Sequence, residues 1–279
     1  MKYKIILTIV SVTGCIVAVL LCLNWFVSYV QTDRLCQLIK EEQTEDALKL
    51  VSRMHNVNRY TAPEIFNRIF IIFQVDMTSP LVRACEYENS EVVSALLEKG
   101  ADPNMYLDGD WTPIEATCKY VSQKRYDIAE ELISYGADVD LYASGWSALH
   151  SVSNYFYYDL DKDSHELIDE FVILLLENGA SPIFTNGYTL THSVSCSGDI
   201  SLLKTIIEKY NCPLDDKNHN GESPLLMAIK ADFSEAVEYL LEKGADIDVV
   251  DEGGKTVFDY AVEIANPEII DILNRYKIG

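Results

Sequence analysis

One short phrase recurs along this chain at a nearly constant spacing, and that spacing restricts what the chain can fold into. Ser79-Pro80-Leu81, Thr112-Pro113-Ile114, Ser147-Ala148-Leu149-His150, Thr189-Leu190-Thr191-His192, Ser223-Pro224-Leu225 and Thr256-Val257-Phe258 stand in register, with first residues 33, 35, 42, 34 and 33 positions apart. A period near 33 specifies a stacked array of small units rather than one globular core. A second phrase keeps phase with the first. It reads Leu97-Glu98-Lys99-Gly100-Ala101-Asp102, Ser134-Tyr135-Gly136-Ala137-Asp138, Leu176-Glu177-Asn178-Gly179-Ala180 and Leu241-Glu242-Lys243-Gly244-Ala245-Asp246.

Each unit reads as turn, helix, short loop, helix, turn. The Ser or Thr that opens the first phrase suits a helix N-cap, and Pro after it suits the first helical turn. Apolar residues at helical spacing, such as Val92, Val93, Leu96 and Leu97, form the inner face of each second helix. The glycine of the second phrase falls just past that helix, where a left-handed residue is needed. Asp108-Gly109, Asn186-Gly187 and Asn220-Gly221 suit tight turns in the connecting fingers. One unit cannot bury its apolar face alone, so neighbours must stack.

Two motifs in phase over six units resemble the ankyrin repeat family, over residues 78–279 and in weaker form over 31–58. The resemblance implies an all-α ankyrin repeat solenoid of helix-turn-helix units with short finger loops. It also implies a concave groove through which such proteins contact partners. Residues 31–60 read as a degenerate capping repeat, 61–77 as an apolar insertion and 78–279 as six repeats. The third repeat carries an insertion near 154–163, and the last, from Lys255, reads as a charged C-terminal cap. The 61–77 segment, with Ile69-Phe70-Ile71-Ile72-Phe73, is expected to pack on the first full repeat or to serve as a partner-binding or membrane-adjacent helix.

Ahead of the repeats, Ile5 through Val30 carry no charge over 26 residues, more than the roughly 20 a transmembrane helix needs. The run is longer than the apolar region of a cleaved signal peptide and no Ala-x-Ala follows it. Residues 1–30 therefore read as an uncleaved signal anchor, a single transmembrane helix. The competing readings are a lipoprotein signal at Val12-Thr13-Gly14-Cys15 and a buried core helix. Lys2 and Lys4 abut the run on one side, whereas the other side opens with Asp33. That asymmetry favours the amino end inside and an extracytoplasmic repeat domain. No Asn-x-Ser/Thr sequon occurs, which is compatible with a bacterial source.

The formal net charge of −22 speaks against nucleic acid, which requires a basic patch, and the longest Lys/Arg cluster is Lys124-Arg125. It also disfavours anionic membrane surfaces. It reads first as a solubilising surface and second as an aid to a basic partner. The soluble cysteines, Cys36, Cys85, Cys118, Cys196 and Cys212, are isolated from one another and lack zinc spacing. Cys85 and Cys118 hold the same repeat position, about 8–10 Å apart on packed neighbouring helices. That separation exceeds the roughly 7 Å reach of a disulfide, so both read as small core residues. As reduced thiols they mildly favour the cytoplasmic orientation.

No motif for a nucleophile, a phosphate loop or a metalloprotease helix occurs, so the chain reads as no enzyme, with no cofactor, no metal and no small-molecule substrate. Asp159, Asp161, Asp163 and Glu170 partly match a calcium loop, but Ser164 stands where Gly is needed. A rival reading makes Asp163 the cap of the following helix, with Glu166 three positions on. His150 and His192 fall at the fourth motif position, where the resemblance implies a role in ordering the turn between repeats.

The partner-binding candidates are aromatic. Trp111, Trp146 and Tyr188 precede the helix motif in three consecutive repeats; Tyr87, Tyr120 and Tyr155 follow the motif start by eight residues. In the family it resembles, both positions line the concave groove, and Trp and Tyr are enriched at binding hot spots. The pattern stops after the fourth repeat, where Glu222 and Lys255 replace the rings. The resulting expectation is a membrane-anchored adaptor or inhibitor holding an unidentified protein partner. The alternatives are a ligand or calcium sensor using the 154–170 acidic insertion, and a secreted lipoprotein scaffold. If Ile5–Val30 is an anchor, the full-length chain stays with membranes through an alkaline carbonate wash. Release into the supernatant, or a mature amino terminus beyond residue 20, removes that reading.

Overall fold

The computed structural model describes Val27, residues 30–55, 57–58, 79–106, 111–141, 143, 145–158, 162–184 and 187–277. The expected anchor, apart from Val27 and Val30, and the expected 61–77 insertion lie outside the described residues. Among the described residues no helix is long and apolar enough to cross a membrane. No strands form there either, and pairing is limited to isolated bridges such as Ile183 with Thr189 and Val250 with Thr256. The chain divides into two compact units, Met1–Ala116 and Thr117–Gly279.

In the first unit, α1 covers residues 30–40 and α2 Thr44–Arg53, followed by α3 Pro80–Glu86, α4 Ser90–Glu98 and α5 Pro113–Thr117, whose last residue belongs to the second unit. Leu35, Ile39, Val92, Val93 and Leu96 are fully buried. Residues 30–58 dock on the first full repeat through polar bonds as well as apolar area. The Asn89 side chain accepts from the Val92 N–H, capping α4, and donates to Thr44 Oγ1 at the start of α2. Lys99 Nζ donates to the carbonyls of Val51 and Ser52 at the end of α2. A cation is favourable there, because the last carbonyls of a helix are otherwise unpaired and carry the negative end of its dipole. Asn58 Nδ2 donates to the Gly100 carbonyl at 2.7 Å, and its Oδ1 accepts from the Asp102 N–H at 2.7 Å.

The second unit runs through α6 Gln123–Ser134, α7 Ala148–Ser153, a 3-10 turn Asn154–Tyr157 and α8 Lys162–Glu177. It continues with α9 Leu190–Ser195, α10 Ile200–Glu208, α11 Pro224–Lys230, α12 Ser234–Glu242, α13 Val257–Ile264 and α14 Pro267–Lys277. The first helices α7, α9, α11 and α13 pack in sequence as one layer, and the second helices α8, α10, α12 and α14 lie behind them as another. The expected caps form at Ser147, Thr189, Ser223 and Thr256, whose side chains bond the N–H three residues on. In the first unit Thr112 and Glu115 form a reciprocal pair, whereas Ser79 makes no such bond. The expectation that Asp163 caps its helix is corrected: α8 already begins at Lys162, which places Asp163 inside the first turn, near the positive end of the helix dipole.

Polar ladders tie successive repeats in this unit. Asp140 Oδ1 accepts from the Ser181 N–H and Asp215 Oδ1 from the Asp246 N–H, at 2.7 and 2.8 Å. Lys209 pairs with Glu177, Lys243 with Glu208 and Arg275 with Glu238 across neighbouring second helices. These exposed pairs are screened and add more to register than to stability. One joint is less well satisfied. Asp169 Oδ1, Thr191 Oγ1 and Ser195 Oγ are buried without a hydrogen-bond partner among the described residues. Burial, followed by a hydrogen bond to the Asp199 carboxyl and the charges of Asp199 and Glu166, pushes the Asp169 carboxyl up to about 8.

Two outcomes follow from this packing. Gly136 holds φ +88 with open space around its Cβ direction, so Gly136→Val meets only backbone strain and is expected to lose about 1–2 kcal/mol in urea denaturation. A neutral result means α6 does not end at that turn. Asp169 has a folded pKa above its ordinary value of 3.8. Its stabilising contribution is therefore complete below about pH 4 and is lost as pH rises to about 8. Asp169→Asn is expected to raise the melting temperature at pH 8 and leave it nearly unchanged at pH 4; an equal shift at both rules out the shared proton.

Candidate interaction groove

The fourth motif position is used in two different ways. His192 Nδ1 faces the Thr189 N–H at 3.0 Å and Thr189 Oγ1 at 2.8 Å, which makes Nδ1 an acceptor. Nε2 then carries the proton and donates to the Glu222 carbonyl of the next finger at 3.0 Å. Burial pulls the imidazole pKa down, against the opposing effect of that carbonyl. His192 thus orders the turn between repeats, as the resemblance implies. His150 instead lies in an aromatic stack, with ring centroids 4.1 Å from Trp146 and 4.4 Å from Phe184. Burial pushes it down to about 4, so it is neutral near pH 7.

The six aromatic candidates fall in both units. In the first, Tyr87 is exposed, with the Arg83 guanidinium 6.0 Å from its ring, and Trp111 is half-buried. In the second, Trp146 is 44 % exposed and Tyr120 is 59 % exposed, while Tyr155 and Tyr188 are half-buried. Arg125 stacks on Tyr120 at 5.3 Å, and the Tyr155 hydroxyl donates to the Lys119 carbonyl. Tyr188 sits 5.2 Å from His192 and 6.1 Å from His219.

A groove of about 670 Å³ opens in the second unit beside Tyr188. The 3-10 turn brings Phe156, Tyr157 and Tyr158 to it, α8 brings His165, and the following finger and α11 bring Glu222 and Lys230. Glu222 is held tightly. Its Oε2 accepts from Asn218 Nδ2 at 2.9 Å and its Oε1 is paired with Lys230. Burial alone raises its pKa, but Asn218, Lys230 and Asn220 together hold the carboxyl below its ordinary value. The Tyr157 hydroxyl lies beside Ser193 and Cys196, and burial drives its pKa up. Burial also pushes the Cys196 thiol up to about 11, so it is protonated near pH 7 and a poor nucleophile. Among the described residues no group of three or more His, Cys, Asp or Glu side chains is placed to hold a metal; Asp159 and Asp161 of the calcium-like stretch lie outside them.

Tyr155 and Tyr188 were legible as candidates from their motif positions. Lys230 was not, because its pairing with Glu222 at the groove is a tertiary contact; Tyr157 and Tyr158 were not, because the 3-10 turn belongs to the insertion and has no counterpart in the other repeats. The run Tyr155-Phe156-Tyr157-Tyr158 is the signal that marks it.

The chain's likeness to known proteins agrees with this geometry. A family model described as ankyrin repeats, in three copies, matches residues 36–143 and 190–278, well over half of the chain. A putative ankyrin repeat protein of Rickettsia felis is 26% identical over 148 residues, 53% of this chain and 34% of that protein. The chain spans about a third or less of the first curated relatives it matches. The human ASB11 ankyrin repeat domain aligns over 87% of this chain and 96% of its own, at 20% identity and a TM-score of 0.60. The ankyrin repeat domain of Bcl-3 covers 86% and 97%, at 20% identity and a TM-score of 0.62. At these identities the likeness shows the fold.

His192→Ala strands the Thr189 N–H in a buried site and removes one of the two bonds to the Glu222 carbonyl, which keeps the Asn218 N–H. Leaving buried polar groups unpaired costs about 1–3 kcal/mol. That loss is expected in urea denaturation, and a change below half a kcal/mol shows that the His192 bridge does not hold the finger.

Proposed function

This chain belongs to the ankyrin repeat family, and from that premise we propose that it is a non-catalytic interaction module. In this reading a protein partner is held on the aromatic face of its first helices and fingers. Residues 1–30 tether it to a membrane as an adaptor or inhibitor, with the repeats on the extracytoplasmic side. Ankyrin repeat domains generally mediate protein–protein interactions. The observation that carries the reading for this chain is the exposure of aromatic rings in the second unit: Tyr157 and Tyr158 line the groove, and Trp146 and Tyr120 are exposed outside its lining. Large rings with polar tips remove much area from water on contact and keep a hydrogen-bonding handle. The neutral buried histidines and the raised Cys196 thiol supply no activated nucleophile beside that groove.

Trp146 also stacks on His150, so Trp146→Ala removes an aromatic contact worth about 0.5–1.5 kcal/mol of stability. The functional test is affinity capture from membranes with the intact chain as bait, repeated with Trp111 and Trp146 both changed to Ala. The expected result is a retained fold and partner capture weakened about 30-fold, equivalent to roughly 2 kcal/mol at a hot spot. A lower melting temperature with undiminished capture by the folded fraction makes these rings packing elements. The contact surface then lies elsewhere on the chain.

A further inference from the structure

We infer that the groove beneath the 3-10 turn takes a basic segment of the partner, seating an Arg or Lys side chain against Tyr157, Tyr158 and Tyr188. This rests on the interaction-module reading above and narrows it to one groove and one ligand chemistry.

The walls are prepared for such a side chain. Tyr157 is 47 % exposed although its hydroxyl lies beside Ser193 and Cys196, so part of the ring surface remains open. Tyr158 is 62 % exposed, with the Tyr155 ring centroid 6.1 Å away. Tyr188 faces the same groove from the next finger. A cation over a tyrosine face is attracted by the ring quadrupole, more so when partly removed from water. Rings held in place beforehand lose little freedom on binding.

The charges select the sign of the ligand. Lys230, the lysine of the lining, is already paired with Glu222, whose side chain is only 7 % exposed. An acidic segment that drew Lys230 away would leave that buried carboxylate with its Asn218 hydrogen bond but no counter-charge, which is unfavourable. A basic segment leaves the pair intact. The turns of α8 that bring His165 to the groove also carry exposed Asp163 and Glu166. The whole chain carries a formal −22, which concentrates cationic partners around it. Charge alone would attract a basic chain to any part of this surface; the tyrosines localise it.

The test uses the full chain in detergent and three fluorescent twelve-residue peptides that differ only at four positions, occupied by Arg, Gln or Glu. The Arg peptide is expected to bind at least tenfold more tightly than the Gln peptide, and the Glu peptide not at all. Tyr157→Ala with Tyr158→Ala is expected to weaken the Arg peptide at least tenfold. Tyr135→Ala, an exposed tyrosine outside the groove, and the pair Glu235→Gln with Glu242→Gln are expected to change it less than twofold. If the double tyrosine variant unfolds by circular dichroism, Tyr158→Ala alone replaces it, with a loss of at least threefold. Equal binding of the Gln or Glu peptide, no binding of any peptide, or an affinity that follows net charge and ignores the tyrosines overturns the inference. A partner captured by the intact chain regardless of Tyr157 and Tyr158 overturns it too, but leaves the interaction module standing. Loss of all specific capture by a folded chain removes the module itself.

Discussion

The contact between one repeat and the next is the interaction on which everything else in this protein depends. A pair of short helices exposes too much apolar surface to be stable alone. In the second unit α9 and α11 bury Leu190, Val194, Leu225 and Leu226 against their neighbours. Backbone groups of the turns between these helices find partners in adjacent repeats. His192 reaching the Glu222 carbonyl, and Asp140 and Asp215 accepting backbone N–H groups a repeat away, provide them. The apolar layers supply most of the stabilisation, and the polar bridges set the register in which those layers meet.

That register is not equally secure at every joint. Between α8, α9 and α10 the chain places Thr191 and Ser195, both fully buried with unpaired hydroxyls, where the equivalent motif positions in the next repeat hold Leu225 and Ile229. Asp169 keeps a proton there because its carboxyl is buried beside that of Asp199. Smaller side chains forfeit contacts in a close-packed interior, and unpaired polar atoms add a desolvation penalty. The joint that supports the groove is thus less completely satisfied than those on the α11–α14 side.

The insertion of the third repeat gives this array an individual surface. Its first residues tighten into a 3-10 turn, and its aromatic run is divided by that turn. Phe156 is buried at the groove wall, while Tyr157 and Tyr158 stay exposed at the groove. A straight continuation of α7 would place these rings differently. The finger that carries Tyr188 meets the turn across the groove, and Lys230 with Glu222 closes the far side as a neutral pair.

The repeat period, the Ser/Thr caps and the left-handed glycines at 100, 136, 179 and 244 were legible in the sequence, because each expresses a local rule that recurs with every unit. So were the small buried roles of Cys85 and Cys118. The motif positions marked Trp146 and Tyr188 as ring-bearing, but not that Trp146 would stack on His150 or that Tyr188 would be half-buried beside His192. Position eight marked Tyr120 and Tyr155, but not which ring would stay open. The cap of α8 was misplaced: the helix starts at Lys162, so Asp163 falls inside its first turn. The pairing of Lys230 with Glu222, the proton held by Asp169 and the groove itself join residues from different repeats. A periodic sequence determines what each repeat is, and only stacking decides which side chains of neighbouring repeats meet, because those meetings depend on distances across the interface that no local motif encodes.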